Sequence, residues 1–347
     1  MTTPQTIRAG NVRLAYVDDQ MPGISRAKAG AKAGTGWAYR DAHGKRIADR
    51  AEIDRLNAIA LPPAYSDAWF CPSPDGHILA TGIDAKGRKQ YRYHPLFRSH
   101  RDGEKFDGTA RFGRLLPLVR KRVEDDLRGA KLSRDRALAS VVRLLDTGGI
   151  RVGNAAYARD NQSFGATTLQ MRHTAVSGSV LKLRFKAKSG QLREMTVTDK
   201  SLARFVRAMQ DLPGQHLFQY VDGDGAVCPV GSSDVNDYLR EAMGEDFTAK
   251  HFRTFHASAI ALQLLAGAEG SLGVKALSEE VAERLGNTAT IARKSYIHPA
   301  VLALVDGQIE WRGKFRPPRA TRWLCPHERA LIALLEKAPK AARLLAA

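Results

Sequence analysis

The sequence has few cysteines, no long apolar run and none of the common nucleotide or metal motifs. Cys71, Cys228 and Cys325 are odd in number and far apart in a chain of 347 residues. This excludes a disulfide framework and a CxxC metal pair, and the three are expected to be reduced core thiols. No stretch of 18 apolar residues occurs, so no membrane-spanning helix is expected. The opening Met-Thr-Thr-Pro-Gln does not have the charged-then-apolar layout of a signal peptide, which predicts a cytoplasmic protein. There is no GxxxxGK[ST] loop and no GxGxxG following a strand, and His327-Glu328 has no second His to complete HExxH. Nucleotide hydrolysis, dinucleotide redox chemistry and a catalytic zinc therefore have no local support, and neither a cofactor nor a metal is expected.

Acidic residues are also scarce: 36 Asp and Glu stand against 54 Lys and Arg, a net charge of +18. That excess points to a polyanionic partner. It is not confined to a tail, since residues 1–98 carry +6 of it and residues 99–347 carry +12. A charge spread in proportion to length suits a protein that surrounds a phosphate backbone. No long basic amphipathic helix with an apolar opposite face occurs, so no membrane partner is expected. With 44 % apolar residues the chain can build a sizeable core.

The local patterns predict an α+β fold with a small β-rich N-terminal lobe, residues 1–98, and a larger, mainly α-helical lobe, residues 99–347. Strands are expected at Trp37–Arg40, Trp69–Cys71, His77–Thr81 and Gln90–Tyr93, and a helix at Ile53–Ile59. The charged, Gly-containing stretch Arg98–Gly108 reads as a linker. Beyond it the apolar spacing turns helical. Ser133 is placed to cap a helix carrying Ala137, Leu138, Val141, Val142, Leu144 and Leu145, which Gly148-Gly149 ends. Further helices are expected near residues 114–128, 200–211, 233–243, 249–266, 278–285 and 289–297. One β interruption is clear: Leu181, Leu183, Phe185 and Ala187 alternate with Lys182, Arg184, Lys186 and Lys188. A turn at Ser189-Gly190 and a return strand Leu192–Thr198 follow. One face is core and the other cationic, which suits an edge strand guarded by Lys and, more directly, a strand that faces phosphates.

Chemistry on a nucleic acid without a metal requires a side-chain nucleophile, fixed cations around the phosphate and a proton donor for the leaving oxygen. The helical lobe offers such a set. Arg151 follows the Gly148-Gly149 break, Lys250-His251-Phe252-Arg253 opens a helix, and Leu285-Gly286-Asn287-Thr288 precedes Arg293-Lys294-Ser295-Tyr296. Taken singly, each has an ordinary reading as a surface ion pair, a solvated helix charge or an amphipathic core tyrosine.

In this order, the segments resemble the type IB DNA topoisomerases in their compact, poxvirus-like bacterial form. The N-terminal lobe shares the resemblance, because Gly82-Ile83-Asp84-Ala85-Lys86-Gly87-Arg88-Lys89-Gln90-Tyr91-Arg92-Tyr93-His94 is similar to that family's GxDxxGRxQYxYH signature. The likeness implies a DNA-binding N-terminal domain and a catalytic domain that close as a monomeric, C-shaped clamp around double-stranded DNA. It implies that Tyr296 attacks a phosphodiester to leave a 3′-phosphotyrosyl bond, that Arg151 and Arg253 hold the non-bridging oxygens, and that Lys188 protonates the 5′-oxygen. Lys186 is the rival for that last role. Asn287 stands where poxviral and eukaryotic members carry a His, and donates one neutral hydrogen bond to the phosphate. Lys250 is a further candidate donor. Gln90, Tyr91 and Tyr93 match residues that contact DNA from the major groove, and Arg88 and Lys89 are expected to serve the backbone. A tyrosine recombinase shares the Arg, Lys, Arg and Tyr set but has HxxR where this chain has Lys250-His251-Phe252-Arg253, and it lacks the N-terminal signature. A non-catalytic architectural protein would share the charge and nothing else.

Overall fold

The computed structural model describes residues 6–9, 12–28, 36–129 and 131–346. It comprises two compact units, Met1–Gly103 and Glu104–Ala347.

The first unit is built on antiparallel strands. Strands β1 (Thr6–Ala9) and β2 (Val12–Ala15) form a pair. Strands β3 (Ile24–Lys28), β4 (Trp37–Arg40), β5 (Ser66–Phe70), β6 (Ile78–Ile83) and β7 (Lys89–Tyr93) form a sheet in the order β4-β3-β5-β6-β7. Helix α1 (Arg50–Ala58) lies between β4 and β5 in sequence, and Asp49 caps it by accepting from the Ala51 N–H. The helix begins three residues before the expected Ile53 because that cap, rather than the first apolar residue, sets its start. Ile24, Tyr39, Leu56, Leu61, Phe70 and Ala80 form the core, with the Tyr39 and Phe70 rings edge to face at 5.4 Å.

The stretch Arg98–Gly108, expected to be a linker, is instead part of helix α2 (Pro95–Asp107). Pro95 is suited to the first helical position, and Phe97 and Phe106 are buried on it despite the surrounding charge.

The second unit is mainly helical. Helices α3 (Thr109–Arg128) and α4 (Arg134–Gly148) are followed by a short α5 (Ala155–Asn161). All six apolar positions named above on α4 are buried, which makes it a central helix of the core. A three-stranded antiparallel sheet comes next: β8 (Thr174–Ser177), β9 (Val180–Lys186) and β10 (Leu192–Thr198), ordered β10-β9-β8. Helix α6 (Lys200–Gln210), the small pair β11 (Gln219–Val221) and β12 (Val227–Pro229), and helix α7 (Ser232–Met243) lead to α8 (Ala249–Gly267). The chain continues through α9 (Val274–Leu285), α10 (Ala289–Ser295), α11 (Pro299–Leu302), α12 (Gln308–Lys314), α13 (Pro326–Lys337) and α14 (Ala341–Ala346).

Three expectations need correction. The β interruption is larger than one hairpin, since β8 adds a third strand and β11–β12 a separate pair. The cationic face of β9 is not free of acid, because Arg184 is paired across the strand with Glu194 at 2.9 Å. Of the cysteines only Cys71 is buried. Cys228 is half-buried and Cys325 exposed, the latter at the N-cap of α13. Among the described residues no helix is long and apolar enough to cross a membrane, and no group of three His, Cys, Asp or Glu gathers as a metal site would require.

Candidate active site

Helix α4 ends as its glycines dictate. Gly149 adopts φ +58°, a left-handed conformation that closes the helix through its N–H to the Leu145 carbonyl. The chain then turns into Ile150 and Arg151. The Arg151 carbonyl accepts from the Ala166 N–H at 2.8 Å and that of Val152 from the Thr167 N–H at 2.7 Å. Gly165 permits this close crossing, since a Cβ there would lie 2.5 Å from the Gly153 nitrogen and 2.6 Å from the Arg151 oxygen. The backbone carrying Arg151 is thus fixed on both sides. Its guanidinium donates from Nη2 to Asn287 Oδ1 at 2.7 Å.

Arg253 stands in the second turn of α8 and is 4 % exposed. Its Nη1 donates to the Gly149 carbonyl and its Nη2 to the Leu285 carbonyl at 3.0 Å, so one fork closes the C-terminal ends of both α4 and α9. Those carbonyls carry the negative ends of the helix dipoles, which compensates part of the cost of burying the charge. The Nε group is buried with no partner among the described residues, as is Nδ2 of Asn287. Two buried donors thus stand beside Arg151 and Arg253 with the chemistry to bond an anion.

Tyr296 directly follows α10 and caps it, with its N–H on the Ala292 carbonyl at 3.0 Å. The helix stops two residues earlier than expected because His298-Pro299 disfavours its continuation. The Tyr296 carbonyl accepts from Ser258 Oγ at 3.3 Å, and the Ser295 carbonyl from Lys105 Nζ at 2.8 Å. The Arg253 Cζ lies 4.8 Å from the Tyr296 ring centroid. Burial pushes the Tyr296 phenol up. The charge of Arg253 and a hydrogen bond from it, with the charges of Arg151 and Lys188, outweigh that and leave the pKa below its ordinary value.

Lys188 opens a 3₁₀ turn, Lys188–Gly190, held by the Ala187 N–H on the Gln191 carbonyl at 2.7 Å. It lines a cleft of about 480 Å³ together with Arg151, Lys250, Arg253, Tyr296 and Lys105. Lys186 is exposed at the end of β9 and is not among the lining residues. No carboxylate lines the cleft. No local pattern marks Lys105, which reaches the Ser295 carbonyl across 190 positions, or Arg193 on β10. Arg193 donates to the carbonyls of Glu283 at 3.0 Å and Arg284 at 2.5 Å, and with Lys188 and Arg253 borders a smaller cavity beside the cleft.

Asn287 both orients Arg151 and offers a free donor. Replacing Asn287 by Ala removes both, and the single-turnover DNA cleavage that the family resemblance implies should fall roughly 10- to 100-fold, the worth of one or two hydrogen bonds to charged groups. DNA affinity in a gel-shift titration should stay unchanged, and an unaltered cleavage rate would remove Asn287 from the site.

The remaining residues belong to the first unit. Tyr91 and Tyr93 share one face of β7, their rings stacked at 5.8 Å and 43 % and 45 % exposed. Arg88 and Lys89 are less available than expected. Arg88 is bidentate on Asp84 at 2.7–2.9 Å, and Lys89 pairs with Asp19 at 2.5 Å. Asp84 also accepts from Gln90 Nε2 at 3.0 Å, and the Arg88 hydrogen bond first among its partners holds its carboxyl down to about 2.

The chain is similar to known proteins over both units. Residues 94–312 match the family described as eukaryotic DNA topoisomerase I, catalytic core, and residues 36–84 match bacterial DNA topoisomerase IB, N-terminal domain. DNA topoisomerase 1B of Acanthamoeba polyphaga mimivirus is 30 % identical over 305 residues, which cover 84 % of this chain and 90 % of that protein. DNA topoisomerase 1 of Mycosarcoma maydis is 26 % identical over 192 residues, 49 % of this chain and 19 % of that one.

Proposed function

The chain belongs to the type IB DNA topoisomerases, and on that premise we propose that the cleft around Tyr296 is where it breaks and reseals a DNA strand. A type IB enzyme relaxes supercoiled double-stranded DNA by cutting one strand, letting it rotate and rejoining it, without ATP or metal. In this reading the Tyr296 Oη gives up its proton to water, and the phenolate, favoured by the Arg253 charge, attacks a backbone phosphorus and forms a P–O bond. The P–O5′ bond breaks, and the departing 5′-oxygen takes a proton from Lys188. Resealing is the reverse, and the tyrosyl ester conserves the energy of the phosphodiester, so no nucleotide is consumed.

The planar forks of Arg151 and Arg253 suit the non-bridging oxygens of a five-coordinate phosphorus, where negative charge is greatest. Asn287 Nδ2 and Lys250 supply further donors. The observation that carries this reading is the convergence of Tyr296 with Arg151, Lys188 and Arg253 on one cleft lined by five cations and no acid. Tyr91 and Tyr93 give the first unit a DNA-facing pair, while Gln90, on the other face of β7, would have to leave Asp84 to reach DNA, and Arg88 and Lys89 are partly neutralised beside it. The two units, taken as an N-terminal DNA-binding domain and a catalytic domain, would enclose duplex DNA as a monomeric clamp in the cytoplasm, on the nucleoid.

Negatively supercoiled plasmid incubated with the purified protein in EDTA, without ATP, should be converted to the relaxed form. Plasmid that stays supercoiled while a gel shift shows it bound would contradict the reading and favour the architectural alternative.

A further inference from the structure

The chain beyond residue 312, where the match to the catalytic-core family ends, has no role in the reaction as described. It nevertheless supplies one member of a buried charged network. Arg120 of α3 donates from Nε and Nη2 to the two oxygens of Asp146 at 2.8 and 2.9 Å, and from Nη1 and Nη2 to the two oxygens of Glu328 on α13 at 2.8 and 2.7 Å. It also donates to the Trp323 carbonyl. His256 Nε2 lies 3.1 Å from Asp146 Oδ1, and Glu328 Oε2 caps α13 by accepting from the Cys325 N–H at 2.9 Å. Asp146 and Glu328 side chains are each 9 % exposed.

Networks of this kind add little net stability, because desolvation offsets most of the attraction; their best-attested use is to fix one arrangement among several. The arrangement fixed here is the register of α4 against α8. Asp146 precedes Gly149 by three residues and His256 follows Arg253 by three, so each pair is about one helical turn apart. The contact Asp146–His256 and the bond from Arg253 to the Gly149 carbonyl are therefore two successive rungs between the same two helices. If the upper rung slips, the carbonyl that aims the Arg253 fork moves with it. Burial raises the Asp146 carboxyl, but His256 and Arg120 outweigh it and hold it well below its usual range, so it is an anion as the rung requires.

We propose that Asp146 is a positioning residue for Arg253, and that helix α13 takes part in catalysis at a distance by holding Arg120 on Asp146 through Glu328. This rests on the reading of Arg253 as a phosphate-binding residue. None of the four network residues lines the cleft, so their effect on chemistry is indirect, and the rung they support is the one that holds Arg253.

The test is a double-mutant cycle on single-turnover formation of the covalent adduct, with DNA affinity and circular dichroism measured on every variant. Asp146→Asn should slow adduct formation by roughly 30-fold and Glu328→Gln by roughly 5-fold, each with affinity within about twofold of the parent. On an Arg253→Ala background either substitution should cost less than about twofold more, since the fork it aims is already gone. Losses that multiply, or an unchanged rate in the parent background, would overturn the proposal. Glu328→Gln keeps the shape of the side chain and an acceptor for Arg120, so it decides alone should Asp146→Asn not fold. Arg253→Ala cleaving at the parent rate would overturn the reading of Arg253 itself; a slow Arg253→Ala with multiplying losses would overturn the positioning role only.

Discussion

Tyr296→Phe should abolish the covalent adduct and the relaxation of plasmid DNA, a loss of at least about 10⁴-fold, while DNA affinity should stay within about twofold of the parent. The substitution removes one oxygen. The ring keeps its place over Arg253, 4.8 Å from the guanidinium carbon, and the backbone keeps its bonds to Ala292, Ser258 and, through Ser295, Lys105. The charge of Arg253 holds the phenol below its ordinary pKa and so favours the nucleophilic phenolate. Adduct trapped on a labelled strand and resolved in denaturing gels measures the loss directly. Relaxation by the mutant at the parent rate would place the nucleophile elsewhere.

Lys188→Ala slows cleavage by about 10²- to 10⁴-fold, the usual worth of a general acid. A substrate with sulfur in place of the bridging 5′-oxygen restores most of that rate. A thiolate leaves without a proton because its conjugate acid has a pKa of about 8.5, far below that of an alcohol. The same sulfur substrate should not rescue Asn287→Ala, whose defect lies at the non-bridging oxygens. Lys188 is exposed at the tip of a turn, free to approach the leaving oxygen, and its removal leaves no buried gap. Without rescue, the acid is to be sought among the other two ammonium groups of the cleft, Lys105 and Lys250.

Residues at element ends were the ones most readily recognised in the sequence. Arg151 sits behind a Gly-Gly helix stop, Lys188 before Ser189-Gly190, Asn287 after Gly286 and Tyr296 before His298-Pro299; each carries its own local breaker, and breakers are visible in one dimension. Helix α4 was equally legible, because a buried helix writes its period in Val, Leu and Ala. What escaped depends on contacts between distant segments. Lys105 reaches Ser295, Arg193 reaches the end of α9, and Glu328 reaches Arg120, and each looks like any surface charge until the chain is folded. The pairing of Arg184 with Glu194 was hidden for the same reason, since it needs the register of β9 on β10. Helix α2 reads as a linker in one dimension because charge and a glycine at position 103 mask the two buried phenylalanines that hold it down. Strand β8 was missed because four residues give too short an alternation to detect.

The central claim is that Tyr296 carries the strand during relaxation, and one measurement addresses it most directly. The covalent complex formed on a short duplex is digested with protease and the nucleotide-bearing peptide is sequenced by mass spectrometry. The account predicts a single site, the phenolic oxygen of Tyr296 joined to a 3′-phosphate. A nucleotide carried by Tyr157, the other tyrosine that lines the cleft, or joined through its 5′-phosphate, would contradict it.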